Sequence, residues 1–133
     1  MTLFALRSGD VLDAEAQALV VPIDGTAIPR GGQFKQVIVV STLYHLEHLD
    51  FSAKCALVRT SVIAVLEAAR RAGIQSIACA VLQGGWRLRP EDAFTSMLSA
   101  LDTPEDVQLR VYCNDQDLHD RLRVLARSLG RGE

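Results

Sequence analysis

The residues best suited to binding a ligand lie in a stretch between an apolar run and a helix. Residues 83–89 read Gln-Gly-Gly-Trp-Arg-Leu-Arg, and Pro90 opens the helix. Paired glycines let a backbone approach a phosphate closely and turn N–H groups toward it. Arg87 and Arg89 could clamp an anion, and the Trp86 indole offers a stacking face. The same glycines could instead close a tight turn, with Trp86 plugging the edge of the core.

A second glycine-containing loop follows an earlier apolar run. It extends from Asp24 to Gly32 and ends in a glycine pair. In open α/β sheets, ligands sit beyond the carboxyl ends of the strands, where such loops meet. We therefore expect the two loops to form the two walls of one ligand cleft.

Other chemistry-bearing patterns are sparse. His45 and His48 are spaced as His-x-x-His, but no second cluster supplies a further metal ligand at a recognisable spacing. A polar, exposed segment is the better interpretation, so we predict no metal site. No G-x-S-x-G or G-x-G-x-x-G pattern is present, and we assign no catalytic residue and no cofactor.

Composition narrows the class of protein. The chain has 133 residues, which suits a single domain over residues 1–133. Its formal net charge of −2 provides no general basic field, so neither nucleic acid nor a membrane surface is an expected partner. The first residues lack the order of a signal peptide, and a cytoplasmic location is the expectation. The three cysteines form no C-x-x-C pair, and Cys79 and Cys113 lie in apolar runs as small hydrophobic residues.

The hydrophobic pattern predicts alternating strands and helices. Several strand runs are continuously apolar, as in a sheet covered on both faces. Later in the chain, helices alternate with strands, which favours right-handed crossovers. We therefore predict an α/β fold, a three-layer α/β/α sandwich around a mixed, mainly parallel sheet. The predicted strands are 3–7, 18–23, 36–41, 76–82 and 107–113, and the predicted helices are 52–72, 90–101 and 115–129, with a short helical turn at 13–17.

Each predicted helix has a stripe of residues at helical spacing. Gly73 is a natural residue to end the first helix, and Asn114 or Asp115 can cap the third. His119 is expected on the polar, solvated side of the third helix. The stripes are Leu57, Ser61, Ala64, Val65, Ala68 and Ala72 in the first helix, Phe94, Met97, Leu98 and Leu101 in the second, and Leu118, Leu122, Leu125 and Leu129 in the third.

Two motifs and the order of elements resemble the macro domain, an ADP-ribose-binding module. Gly9-Asp10-Val11 matches the family's Gly-Asp-Ile after the first strand. Ser76-Ile77-Ala78 and the stretch 83–90 match its later Ser-Ile-Ala, Ser-Thr-Gly, aromatic and proline signature. The order of elements agrees over nearly the whole chain, and the resemblance is specific at these two motifs.

The resemblance implies roles for particular residues. Asp10 would accept a hydrogen bond from the adenine amino group, and Val11 would contact the ring through its backbone. Asp24 stands where the family has an asparagine at the distal ribose. The residues that the resemblance and the loops together assign to ligand binding are Asp10, Val11, Asp24, Gly31, Gly32, Gly84, Gly85, Trp86 and Arg87.

The chain also departs from the family pattern. Val21-Pro22-Ile23-Asp24 replaces the family's Asn-Ala-Ala-Asn, and Arg87 replaces an aromatic residue. Only Gly31-Gly32 remains of a long glycine-rich loop and its helix. We therefore predict a module that binds ADP-ribose or another nucleotide or phosphorylated small molecule without turnover. The alternatives are an ADP-ribosyl hydrolase in which Asp24 orients a water, and a ligand-free interaction protein that forms a homodimer through a sheet edge left by the missing helix.

Overall fold

Five strands and three helices form the framework of the protein. The computed structural model describes residues 3–14, 16–23, 36–41, 50–82, 88–102 and 106–130. The strands are β1 (Leu3–Ser8), β2 (Ala18–Ile23), β3 (Gln36–Ser41), β4 (Ser76–Ala80) and β5 (Gln108–Cys113). The helices are α1 (Phe51–Arg71), α2 (Pro90–Leu98) and α3 (Gln116–Ser128), and a 3₁₀ turn covers Val11–Asp13. None of the helices in these ranges is long and apolar enough to cross a membrane.

The strands form one sheet in the order β1-β5-β4-β2-β3. Every pairing among the described strands is parallel. The predicted α/β class and mainly parallel sheet are therefore confirmed. Because all five strands run the same way, their carboxyl ends lie along one edge of the sheet, and this edge is where the ligand cleft was expected.

The two faces of the sheet are covered differently. On one face, alternate strand residues such as Leu6, Ile77 and Val111 pack with all three helices into the main core. On the other, Leu19 and Ala78 pack with the segment around the 3₁₀ turn. The connections β3 to β4 and β4 to β5 cross the sheet in one direction and β1 to β2 in the other, so right-handed crossovers place them on opposite faces. The 3₁₀ segment alone represents the third layer of the predicted sandwich among the described residues.

Helix α1 begins and ends as its sequence predicts. Asp50 caps it, because its Oδ1 accepts a hydrogen bond of 2.8 Å from the Ala53 N–H. At the other end Gly73 has φ +71°, and the Ile74 N–H donates to the Ala69 carbonyl at 2.9 Å. This is the Schellman arrangement, in which a left-handed residue satisfies the last carbonyls of the helix.

The predicted stripe of α1 lies about one position from the buried face, and Val65 belongs to both. Ala64 and Ala68 are exposed, whereas the stripe with the larger branched side chains is buried. Burying valine and leucine removes more apolar surface from water than burying alanine does, so these larger residues determine which face meets the core. The buried residues of α1 are Val58, Val62, Val65, Leu66 and Ala69.

Helix α3 is also rotated from its predicted orientation. Asp115 caps it, but Leu129 is 44 % exposed and His119 is buried. The imidazole Nδ1 of His119 lies 3.4 Å from Oδ1 of Asp120. Two hydrogen bonds, the stronger influence from His119 and the weaker from Gln116, hold the pKa of the Asp120 carboxyl below its usual range. The prediction of a solvated His119 was therefore wrong.

The short helical turn was predicted slightly too late in the chain. It covers Val11–Asp13, and Gln17 belongs to a bend. The backbone N–H of Gln17 donates to the Ser76 carbonyl at 3.2 Å, and the Gln17 Oε1 accepts from the Gln75 N–H at 2.6 Å. These bonds to the start of β4 replace the local bonds that a helical turn at 13–17 would have required.

Helix α2 has the predicted start and the predicted core face. Pro90 stands at its first turn with Glu91 and Asp92, which suit the positive end of a helix. The predicted stripe of Phe94, Met97, Leu98 and Leu101 is buried. The Phe94 ring packs against Phe4 of β1, with a centroid separation of 5.9 Å. The helix therefore packs over the sheet and contacts the first half of β1.

Candidate functional site

A cleft of about 200 Å³ opens at the carboxyl ends of three adjacent strands. The chain leaves β1 toward the 3₁₀ face of the sheet and leaves β5 toward the helical face. Neighbouring strands whose connections diverge in this way leave a crevice between them, which is the usual ligand position in an open α/β sheet. The lining residues are Gly9, Asp10, Val11, Ala80, Val81, Tyr112, Cys113, Asn114 and Leu118.

The β1 side of the cleft is built around Gly9. Its φ of +116° favours glycine, and its N–H donates to the Cys113 carbonyl at 3.0 Å, which holds the end of β1 to the end of β5. The Asp10 carbonyl accepts from the Asp13 N–H at 3.0 Å, closing the 3₁₀ turn. Asp10 itself is exposed at the cleft. The turn therefore places Asp10 and Val11 at the cleft.

The β5 side of the cleft carries the first turn of α3. The Cys113 thiol donates to the Asp115 carbonyl at 3.4 Å, and the Asp115 carboxylate accepts from the Leu118 N–H at 3.1 Å. This capping satisfies one of the free N–H groups at the helix start. Tyr112 and Leu118 add apolar surface to the cleft.

The β4 side is the end of the strand itself. Ala80 and Val81 line the cleft, and the next residue, Leu82, is buried. The Leu82 N–H donates to the Sδ of Met97 in α2 at 3.4 Å. Residues 83–87 follow and lie outside the described residues.

Arg89 does not line the cleft where it was expected to help clamp an anion. Its Nε donates to the Asp92 Oδ2 at 2.9 Å, within the first turn of α2. The hydrogen bond and charge of Asp92 raise the pKa of the guanidinium above its ordinary value. Arg89 therefore pairs within the first turn of α2, and the clamping of an anion by Arg87 and Arg89 stays a prediction.

The described part of the predicted site is its adenine end. Asp10 and Val11 both line the cleft, together with the ends of β4 and β5. The remaining predicted ligand-binding residues lie outside the described ranges, as do His45 and His48, so their placement stays a prediction. They are Asp24, Gly31, Gly32, Gly84, Gly85, Trp86 and Arg87.

Seven of the cleft residues were not among the predicted ligand-binding residues, and four of these seven belong to β5 and the start of α3. They are Tyr112, Cys113, Asn114 and Leu118. They stand at the end of a predicted strand and the start of a predicted helix, the same position as the loop at 83–89. Applying the carboxyl-end rule to β5 as well as β4 would have found them.

Within the described ranges, Cys79 is not placed to act as a nucleophile and no metal cluster is formed. Burial raises the pKa of the Cys79 thiol to about 12, so at neutral pH it remains a protonated thiol and a poor nucleophile. No group of three or more histidine, cysteine or acidic residues in those ranges is placed to hold a metal ion. What the described cleft offers is hydrogen bonding and apolar contact.

Comparison with known proteins identifies the fold. No protein-family model matches the sequence, and no curated protein does so at a significant level. Among solved structures, the DarG macrodomain of Thermus aquaticus superposes with a TM-score of 0.60 at 17 % identity, covering 85 % of this chain and 99 % of that one. The DarG macrodomain of Mycobacterium tuberculosis gives 0.62 at 20 % identity, covering 86 % and 100 %.

A larger viral structure is also similar. An alphavirus P23pro-zbd structure superposes with a TM-score of 0.73 at 18 % identity, covering 95 % of this chain. The chain spans only 24 % of that viral chain. At these identities the likeness speaks for the fold alone. The chain has a macrodomain-like fold, as its two motifs indicated.

Proposed function

We propose that this macrodomain-like chain binds ADP-ribose or a related adenine nucleotide at the cleft between β1, β4 and β5, without turnover. The observation that carries the proposal is the position of Asp10 and Val11. The resemblance assigns both to adenine, and both line a cleft formed by the ends of β4 and β5. Ligands of open α/β sheets bind at such an edge.

The size of the cleft suits one end of a nucleotide. Pockets that enclose a whole small ligand measure roughly 300–1,000 Å³, whereas this cleft measures about 200 Å³. A nucleobase would occupy it between the apolar side chains of Val11 and Leu118. The phosphates and distal ribose would then extend toward the walls predicted from residues 24–32 and 83–87.

Asp10 supplies the polar contact in this proposal. A carboxylate accepts hydrogen bonds and donates none, and the exocyclic amino group of adenine is a donor. Because Asp10 is exposed, solvent competes with the base for it, and the gain in free energy is at the lower end for a hydrogen bond to a charged group.

Calorimetry tests the proposal directly. ADP-ribose, ADP and nicotinamide adenine dinucleotide are titrated into the protein at low salt, and ADP-ribose and ADP should bind. Asp10→Ala should weaken binding about tenfold, because it removes a hydrogen bond to a charged group. Asp13→Ala is the matched control, since Asp13 is exposed in the same turn and outside the cleft lining. No binding at millimolar ligand, or equal losses in both variants, rejects the proposal.

A further inference from the structure

The exit of β4 is tied to α2 by an unusual hydrogen bond. The Leu82 N–H donates to the Met97 Sδ at 3.4 Å, fifteen residues along the chain. Leu82 is 2 % exposed and Met97 is fully buried. Water therefore cannot replace the sulfur as the partner of this N–H, and a buried backbone donor without a partner is costly.

This bond acts on a wall of the cleft. Ala80 and Val81 line the cleft and stand directly before Leu82. Because a peptide unit is planar, fixing the Leu82 N–H also fixes the direction of the Val81 carbonyl. The strand ends at Ala80, and the pairings of β4 with the described parts of β2 and β5 do not include the next two residues. The bond to the Met97 sulfur is a contact from another element that acts directly on this peptide unit.

We propose that Met97 is a positioning residue of the ligand cleft, which orients the β4 wall through its thioether. For the identity of the ligand, this inference rests on the proposed function. The hydrogen bond between Leu82 and Met97 does not depend on which ligand binds. A leucine would fill similar space in the core but could not accept a hydrogen bond. Methionine supplies both apolar volume and a weak acceptor.

Replacing the sulfur by a methylene group separates these two roles. The sequence contains two methionines, Met1 and Met97, so growth with norleucine changes one internal position. Norleucine keeps the length and flexibility of the side chain and removes the acceptor. Selenomethionine, which keeps an acceptor, is the control. Met97→Leu in ordinary medium keeps Met1 native and separates the contributions of the two methionines.

Two measurements are made on each protein. In ¹⁵N–¹H spectra, norleucine should shift the Leu82 amide and speed its hydrogen exchange about 3- to 10-fold, with smaller shifts at Ala80 and Val81. The dissociation constant for ADP-ribose should rise about 3- to 10-fold, the change expected when one ordinary hydrogen bond is lost. Selenomethionine should reproduce the native values. Met97→Leu should resemble norleucine in both measurements.

The outcomes separate this inference from the proposed function. An unchanged Leu82 amide, or a changed amide with native ligand affinity, overturns the positioning role. A fall in melting temperature without either response would show Met97 to be a packing residue alone and would also overturn it. If the native protein binds no ADP-ribose, the proposed function fails, and the inference is decided by the cleft amides. Shifts at Ala80 and Val81 then support it, and a shift confined to Leu82 overturns it.

Discussion

At the scale of single residues, the proposed function predicts that Asp10 determines which base the cleft prefers. Its carboxylate can only accept hydrogen bonds, and adenine presents an amino group where guanine presents a carbonyl oxygen. Guanine would therefore place an acceptor against an acceptor and leave both without a proton between them. The cleft should discriminate between purines through this one side chain.

We expect ADP to bind about tenfold more tightly than GDP, and Asp10→Asn to reduce that preference. The asparagine amide can present either an acceptor or a donor, so it can satisfy the guanine carbonyl. Competition titrations of both nucleotides against native, Asp10→Asn and Asp13→Asn proteins measure the effect. If the ADP/GDP ratio is the same in all three proteins, Asp10 does not contact the base.

The same scale shows which residues the sequence could identify. Asp10 and Val11 were found because a short motif follows a recognisable strand. His119 was placed on the wrong side, because the leucines at 118, 122, 125 and 129 form the stronger apolar stripe. The structure buries the neighbouring stripe of His119, Leu122 and Ala126. Two stripes one residue apart lie side by side on a helix, and only tertiary packing decides which is buried.

At the scale of elements, strands were easier to predict than helix faces. The bounds of β2 and β3 agree with the prediction. In β3, Gln36 and Ser41 bracket an uninterrupted β-branched run. The predicted strand 76–82 ends at Ala80. Its last two residues leave the sheet, and the Leu82 N–H bonds instead to the sulfur of Met97. The sequence around the end of β4 contains no signal for a hydrogen-bond acceptor that belongs to a helix later in the chain.

The turn from α1 into β4 depends on the backbone of Gly73. Its φ is +71°, and a Cβ added there would meet nothing within 4 Å, so any cost of a side chain comes from the backbone conformation. Gly73→Ala should lower the free energy of unfolding by about 1 kcal/mol. Urea denaturation followed by circular dichroism measures the change.

Gly130 provides the comparison for this prediction. It has φ +76° and equally open space, but it follows α3, after which the described residues contain no further strand or helix. An exposed turn that connects no two described elements opens locally more easily, so Gly130→Ala should cost about 0.5 kcal/mol or less. If both substitutions lower the free energy of unfolding equally, the α1–β4 turn contributes no more to stability than the turn after α3.

At the scale of the whole molecule, a parallel sheet with diverging connections produces a cleft whether or not a ligand is bound. The macrodomain-like fold therefore does not by itself separate a binding module from a ligand-free relative. Added ligand distinguishes the two, because a ligand that binds only the folded chain must raise the free energy of unfolding. The cleft joins the ends of β1, β4 and β5, so global unfolding would destroy the binding site.

We therefore expect ADP-ribose to raise the melting temperature in a concentration-dependent way. At a ligand concentration of about 100 times Kd the stabilisation is about 2.7 kcal/mol, which corresponds to a shift of roughly 5–10 °C for a domain of this size. Asp10→Ala should require about tenfold more ligand for the same shift, while Asp13→Ala should follow the native curve. Ribose 5-phosphate, which lacks the base, should produce a much smaller shift. If ribose 5-phosphate shifts the melting temperature as much as ADP-ribose does, the base does not occupy the cleft beside Asp10. If no ligand changes the melting temperature, the interpretation that remains is a ligand-free protein with this fold.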